Sequence, residues 1–165
     1  MTNVLIPTDF TVQSLDLVSA ASQQVPGKIN AFLFHAFDMP ESLIDAMRRT
    51  GTNSPDNLIT EELRLRCRQI KALNPMIANI SFKLMYGSTV AVFKHFADAN
   101  NVEAIALPAG YKFTAVVRDS VDPTRMFLKS GIALIRDFDP KTQNAIDTLG
   151  KIYQKPQATE RLVLR

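Results

Sequence analysis

The segment LPAGYKFTAVVRDSVDP, residues 107–123, concentrates residue types suited to holding an anion. Gly110 lets a backbone approach closely, Lys112 and Arg118 carry positive charge, and Ser120 offers a hydroxyl. The segment follows an apolar run and precedes a predicted helix, and helix N-termini attract anions through unpaired N–H groups. Other residues in it oppose that chemistry. Pro108 stiffens the chain and has no N–H to donate. Asp119 is negative, and Asp122-Pro123 reads as a helix cap followed by proline at the first helical position. A capping carboxylate occupies the N–H groups that a phosphate needs, while Lys112, Arg118 and Arg125 offset its charge.

Asp9 follows the apolar run VLIP and has two readings, a ligand contact or a cap for the first helix, for which Thr11 is the other candidate. His35, near the end of a second apolar run, reads as a hydrogen-bonded structural histidine, because no acid or nucleophile is spaced to work with it. His95 lies on a helix and faces solvent or the helix margin. Two histidines without neighbouring Cys, Asp or Glu spacing do not make a metal site. Cys67, on the apolar stripe of its helix, reads as a packed thiol. Arg64, Arg66, Arg68 and Lys71 read as a solvated helix face without the interleaved aromatics of a nucleic-acid site. There is no Gly-x-Ser-x-Gly elbow and no Walker-type phosphate loop. A phospho-receiver would need paired acids after the first strand, and only Asp9 stands there.

The elements that would position these residues alternate. NVLIPT (3–8) reads as a short buried strand, followed by a helix with Leu15, Val18, Ser22 and Val25 in one stripe. INAFLFHAF (29–37) is apolar almost throughout, as a central strand covered on both faces should be. A long connection over 38–56 contains ESLIDAMRR, a short helix, and a longer helix runs from about Asp56 to Leu73. ISFKLMYG (80–87) alternates, with Ile80, Phe82, Leu84 and Tyr86 on one side and Ser81, Lys83 and Met85 on the other, which suits an edge strand. Ser88 is placed to cap a helix with Val92, Phe93 and Phe96 inward. VEAIALPA (102–109) is a further buried strand, a short helix covers 123–129, and GIALIRDF supplies the last strand. Asp139-Pro140 would open a terminal helix. This order predicts an α/β fold with a doubly wound, mostly parallel sheet, whose ligand site lies at the carboxyl ends of the strands.

VLIPTDFT, FLFHAFDMP, VEAIALPAG and SGIALIRDF together resemble the universal stress protein family over about residues 3–138. The resemblance implies five parallel strands in the order 3-2-1-4-5, with residues 131–135 forming the second edge. It also implies pairing of that edge across a homodimer, with Ile132 and Leu134 as interface candidates. Residues 1–138 would form the α/β domain, and residues 139–165 an extra C-terminal helix and tail packed on the domain or the interface. Many family members bind ATP through the acid after strand one, the end of strand two, and a three-glycine loop after strand four that ends in Ser or Thr. Only Gly110 of the six glycines lies in this loop, so the three-glycine pattern is missing, while Ser120 stands like the final hydroxyl. Pro7, Thr8, Asp9, Ala36, Gly110, Lys112, Arg118 and Ser120 are the ligand-binding candidates. An adenylating relative of the fold would carry a Ser-Gly-Gly type loop after strand one, where this chain has PTDFT.

Composition agrees with one soluble domain: 165 residues, 46% hydrophobic, 21% charged and a net charge of +3. The cations are dispersed, which argues against nucleic acid. No apolar run is long enough to span a membrane, the N-terminus lacks the pattern of a signal peptide, and a single cysteine leaves no internal disulfide. The expectation is a cytoplasmic, universal-stress-like regulatory or stress-response binding module, a homodimer without catalytic activity, metal or obligatory cofactor. Two alternatives stay open at this point: an ATP-binding stress protein with a divergent phosphate loop, and a structural interaction module whose crevice is filled by its own side chains.

Overall fold

In the computed structural model, residues 1–51 and 54–138 are described. The predicted terminal helix and tail, 139–165, lie outside them. β1 (Thr2–Pro7) leads through a 3-10 turn at Val12–Leu15 into α1 (Asp16–Gln24). β2 (Ile29–Phe37) is followed by α2 (Leu43–Arg48), a 3-10 turn at Pro55–Leu58 and α3 (Glu61–Leu73). β3 (Ile77–Tyr86), α4 (Val90–Ala99) and β4 (Ala104–Ala106) come next. Then follow a two-residue β5 (Ser120–Val121), α5 (Thr124–Lys129) and β6 (Ala133–Ile135).

Five strands run parallel in the order β3-β2-β1-β4-β6, which is the expected 3-2-1-4-5 with the last strand renumbered. β5 is the addition. It pairs antiparallel with β2, Ala36 opposite Val121 and Phe37 opposite Ser120. At Ala36 and Phe37 the other side of β2 is taken by Met85 and Tyr86 of β3, and β1 stops opposite Phe34. β5 therefore continues the row of β1 past its end.

Strand alternation sorts the core into two halves. Val4, Ile6, Ala31 and Leu33 face α1 and α3, where Leu15, Val18, Leu63 and Cys67 meet them. Leu5, Phe34 and Ile105 face α4 and α5, closing on Phe93 and Phe127. Phe34, Phe93 and Phe127 touch with ring centroids 5.3–5.7 Å apart, the spacing of favourable edge and tilted contacts.

Several local expectations need correction. The cap of α4 is Thr89, not Ser88; its side chain accepts from Val92 N. Val92 then falls on the outer face of the helix. Met85 is buried rather than outward, because α4 crosses that face of the edge strand and its cluster needs the side chain. The helix expected from Asp56 begins only at Glu61. Pro55 sets a separate 3-10 turn, and Thr60 provides the true cap through Leu63 N.

Candidate functional site

The carboxyl end of β1 turns sharply at Thr8, Asp9 and Phe10. Phe10 is left-handed, at φ +63°, which is unfavourable for a residue with a bulky side chain. The turn is held by side-chain bonds. Thr8 Oγ1 accepts from Phe10 N at 3.0 Å, and Asp9 Oδ1 accepts from Thr11 N at 3.1 Å and Thr11 Oγ1 at 2.5 Å. Thr11, in turn, caps the first helical turn through Ser14 N. Asp9 thus serves the cap at second hand. The reward for the strained backbone is the Phe10 ring, which enters the crevice, stacks on Phe82 and lies 5.0 Å from the ring of His35.

His35 is 3% exposed, and both its ring nitrogens are bonded. Nδ1 lies 2.7 Å from the carbonyl of Thr8 and Nε2 2.8 Å from Ser120 Oγ. A carbonyl only accepts, so the Nδ1 proton is donated to Thr8 O. Burial holds His35 below the ordinary histidine value, opposed by the Thr8 bond and the charge of Asp9, which favours the neutral ring. In that tautomer Nε2 accepts, so Ser120 donates its hydroxyl proton to it. Ser120 Oγ accepts in turn from Val116 N at 3.1 Å and Val117 N at 3.2 Å. Every polar atom in the chain Thr8–His35–Ser120–Val116/Val117 has a partner.

The other candidates in the loop after β4 separate. Gly110 takes φ +82° in a turn closed by Tyr111 N donating to Pro108 O, so its freedom is used by the turn. Lys112 is exposed. Arg118 is exposed and lines the neighbouring pocket. Ser120 points inward to the histidine, so Lys112, Arg118 and Ser120 do not converge on one point. Pro7, Thr8 and Ala36 are buried, and Ala36 pairs with Val121 of β5. Asp122 Oδ1 accepts from Thr124 N at 2.9 Å and Thr124 Oγ1 at 2.6 Å, taking a free N–H at the start of α5, while the cap position itself belongs to Pro123. Tyr111 packs on the second core half, and burial, with Asp122 and Asp9 adding, pushes its hydroxyl well above the usual range. Phe113 lies 6.3 Å from His35, closing the ring of aromatics about it.

Sequence reasoning did not pair His35 with Ser120, because 85 residues separate them. It also missed Phe10; an aromatic directly after Thr-Asp at a strand end was the available signal.

Beside this filled crevice lies an open pocket of about 620 Å³ between the β2–α3 connection and residues 117–119. Phe37, Met39, Leu58 and Val117 give it apolar wall, and Asp45, Arg48 and Arg118 charge. Arg49 braces it. Its guanidinium donates to Asp38 O, pairs with Asp119 at 3.2 Å and lies over the Tyr86 ring. The outer face of α2 is unusual in leaving Leu43, Ile44 and Met47 exposed.

No family profile matches the chain, and no curated protein matches it in sequence. Solved structures do. The hypothetical protein PH0823 is 18% identical over 84% of this chain and 97% of its own, with a TM-score of 0.50. A universal stress protein in complex with cAMP is 18% identical over 83% and 97%, with a TM-score of 0.44. Universal stress protein UspA from Lactobacillus plantarum is 16% identical over 82% and 96%, with a TM-score of 0.41. These likenesses concern the fold. Among the described residues, no helix is long and apolar enough to cross a membrane.

Proposed function

We propose that this chain is a universal-stress-like, non-catalytic regulatory binding module of the cytoplasm, in which the crevice that would take a nucleotide is closed by the protein's own loop. The bond chain Thr8–His35–Ser120 carries this reading. The hydroxyl positioned like a phosphate ligand is already committed, the N–H groups of Val116 and Val117 are committed to it, and β5 pairs with the end of β2 where β1 stops. A phosphate would have to displace three satisfied partners and then meet Asp9 and Asp122. Regulation then works through protein contacts, for which the exposed apolar face of α2 and the open pocket beside it are the available surfaces.

Denaturing freshly purified protein and chromatographing the supernatant tests for carried nucleotide, and calorimetric titration with Mg-ATP tests for binding. The expected result is no nucleotide, no saturable heat and no phosphate release. Sub-millimolar ATP binding would overturn the reading in favour of a divergent ATP-binding stress protein.

The proposed assembly is a homodimer through the free edge of β6, which pairs only with β4 among the described residues. Ile132 and Leu134 also pack against the second core half, so charges placed there must be read together with folding. Light scattering on Ile132→Lys with Leu134→Lys, checked by circular dichroism, should give the mass of one chain. An unchanged dimer mass in a folded variant rules out this edge.

A further inference from the structure

The segment from Tyr111 to Val121 is strapped over the crevice by one side chain that can change charge. His35 presents Nδ1–H to Thr8 O and an unprotonated Nε2 to Ser120. A serine oxygen has two lone pairs and one proton to offer. Here both lone pairs are taken by Val116 N and Val117 N, and the proton goes to His35. If Nε2 acquires a proton it becomes a donor and meets an oxygen with no free lone pair. Ser120 must then release at least one of the two strap N–H groups, and its own hydroxyl proton loses its acceptor. The bonds are mutually exclusive with a charged ring, so the change is a switch between two arrangements.

We propose that His35 is a proton-operated latch, whose protonation releases the Tyr111–Val121 strap from the carboxyl end of the sheet. The surroundings fit this role. Around His35 stand Phe10 from the β1 turn, Phe37 from its own strand, Leu84 opposite it on β3 and Phe113 from the strap, all uncharged. Asp9 is the charged group acting on it, and its Oδ1 is engaged by Thr11. Tyr111, Val116 and Val121 also pack against the core, and the polar ties near this point are these. β5 contributes two residue pairs, Asp38 N donates to Asp119 O, and Asp119 takes Arg49.

The sign follows from linkage. The folded-state value of His35 lies below its ordinary 6.5. The latch is fully closed above that ordinary value, and its contribution is lost as pH falls from it through the lower folded value. The released strap uncovers Thr8, Ala36 and the end of β1, so the latch would regulate the crevice described under the proposed function and rests on that reading for its purpose only.

Hydrogen exchange read by mass spectrometry at pH 7.5 and 5.0, corrected for intrinsic rates, tests the latch directly. Peptides covering 113–121 should lose protection at pH 5.0 relative to pH 7.5, while those from β1 and α4 hold. Ser120→Ala should leave the strap unprotected at both pH values, and His35→Gln should remove the pH difference. Should His35→Gln fail to fold, histidine-selective nitrogen NMR on the natural protein supplies the second arm. It should show the Nδ1–H tautomer at pH 7.5 and a titration midpoint shared with the loss of strap protection. Equal protection at both pH values while His35 titrates would overturn the latch, as would strap protection in Ser120→Ala equal to the natural protein's. Mg-ATP titration at pH 7.5 tests the closed-crevice reading separately, since exchange reports strap opening whether or not nucleotide binds.

Discussion

Two regions share the carboxyl end of the sheet and are built in opposite ways. The crevice under the strap is closed by neutral bonds and rings: Thr8, His35 and Ser120 in series, with Phe10 and Phe113 against the imidazole. The neighbouring pocket under the β2–α3 connection is open and braced by charge, through Arg49 with Asp38, Asp119 and Tyr86. Buried neutral networks cost heavily when one member is removed, because the others are left unsatisfied in a dry site. Ion pairs at a wet rim contribute little, and salt screens them. On these grounds the first region should hold the end of the fold together, and the second should contribute little to stability.

Replacing His35 with Leu should have the largest effect. It strands Thr8 O and the Ser120 hydroxyl, for a loss of about 3 kcal/mol in urea unfolding. A loss under about 1 kcal/mol would mean that the network is solvated and the contrast false. Gly87→Ala should come next. Gly87 sits at φ +137°, a built Cβ would lie 2.8 Å from Val92, and its N–H donates to Phe37 O at the boundary of the two regions. Strain and overlap together should cost about 2 kcal/mol, seen as a lowered Tm. Ser120→Ala should cost about 1–2 kcal/mol and loosen the strap without altering the core, which near-ultraviolet circular dichroism would report. Arg49→Ala should cost about 1 kcal/mol, since Arg49 is largely buried but its partner Asp119 is half exposed, and the ion-pair part of the effect should fade in high salt. An Arg49 effect larger than that of Ser120, unchanged by salt, would reverse the comparison.

Much of the architecture was legible because burial writes a pattern. INAFLFHAF is apolar on both faces, and β2 lies inside the sheet between β3 and β1. The alternation from Ile80 to Tyr86 marked β3 as an edge, though Met85 broke the pattern once α4 covered its face. Boundaries were harder to read. Ser88 and Thr89 are equally good caps on paper, and only the path of the chain out of Gly87 selects Thr89. In the site, the glycine count identified an atypical loop, but its wiring was not visible. Asp9 and Thr11 both offered a cap for the first helix; Thr11 is the cap, and Asp9 holds Thr11 in place.

By itself the sequence determined the order of elements, the two-sided core and the poverty of glycine after β4, since hydrophobic periodicity and backbone freedom are local properties of a chain. The tertiary structure alone decided where the strap's Ser120 hydroxyl goes. Ser120 and His35 are 85 residues apart, and their meeting depends on β5 continuing the row where β1 stops. A hydrogen bond needs its two atoms within about 3 Å, and across that much chain only the completed fold sets such a distance.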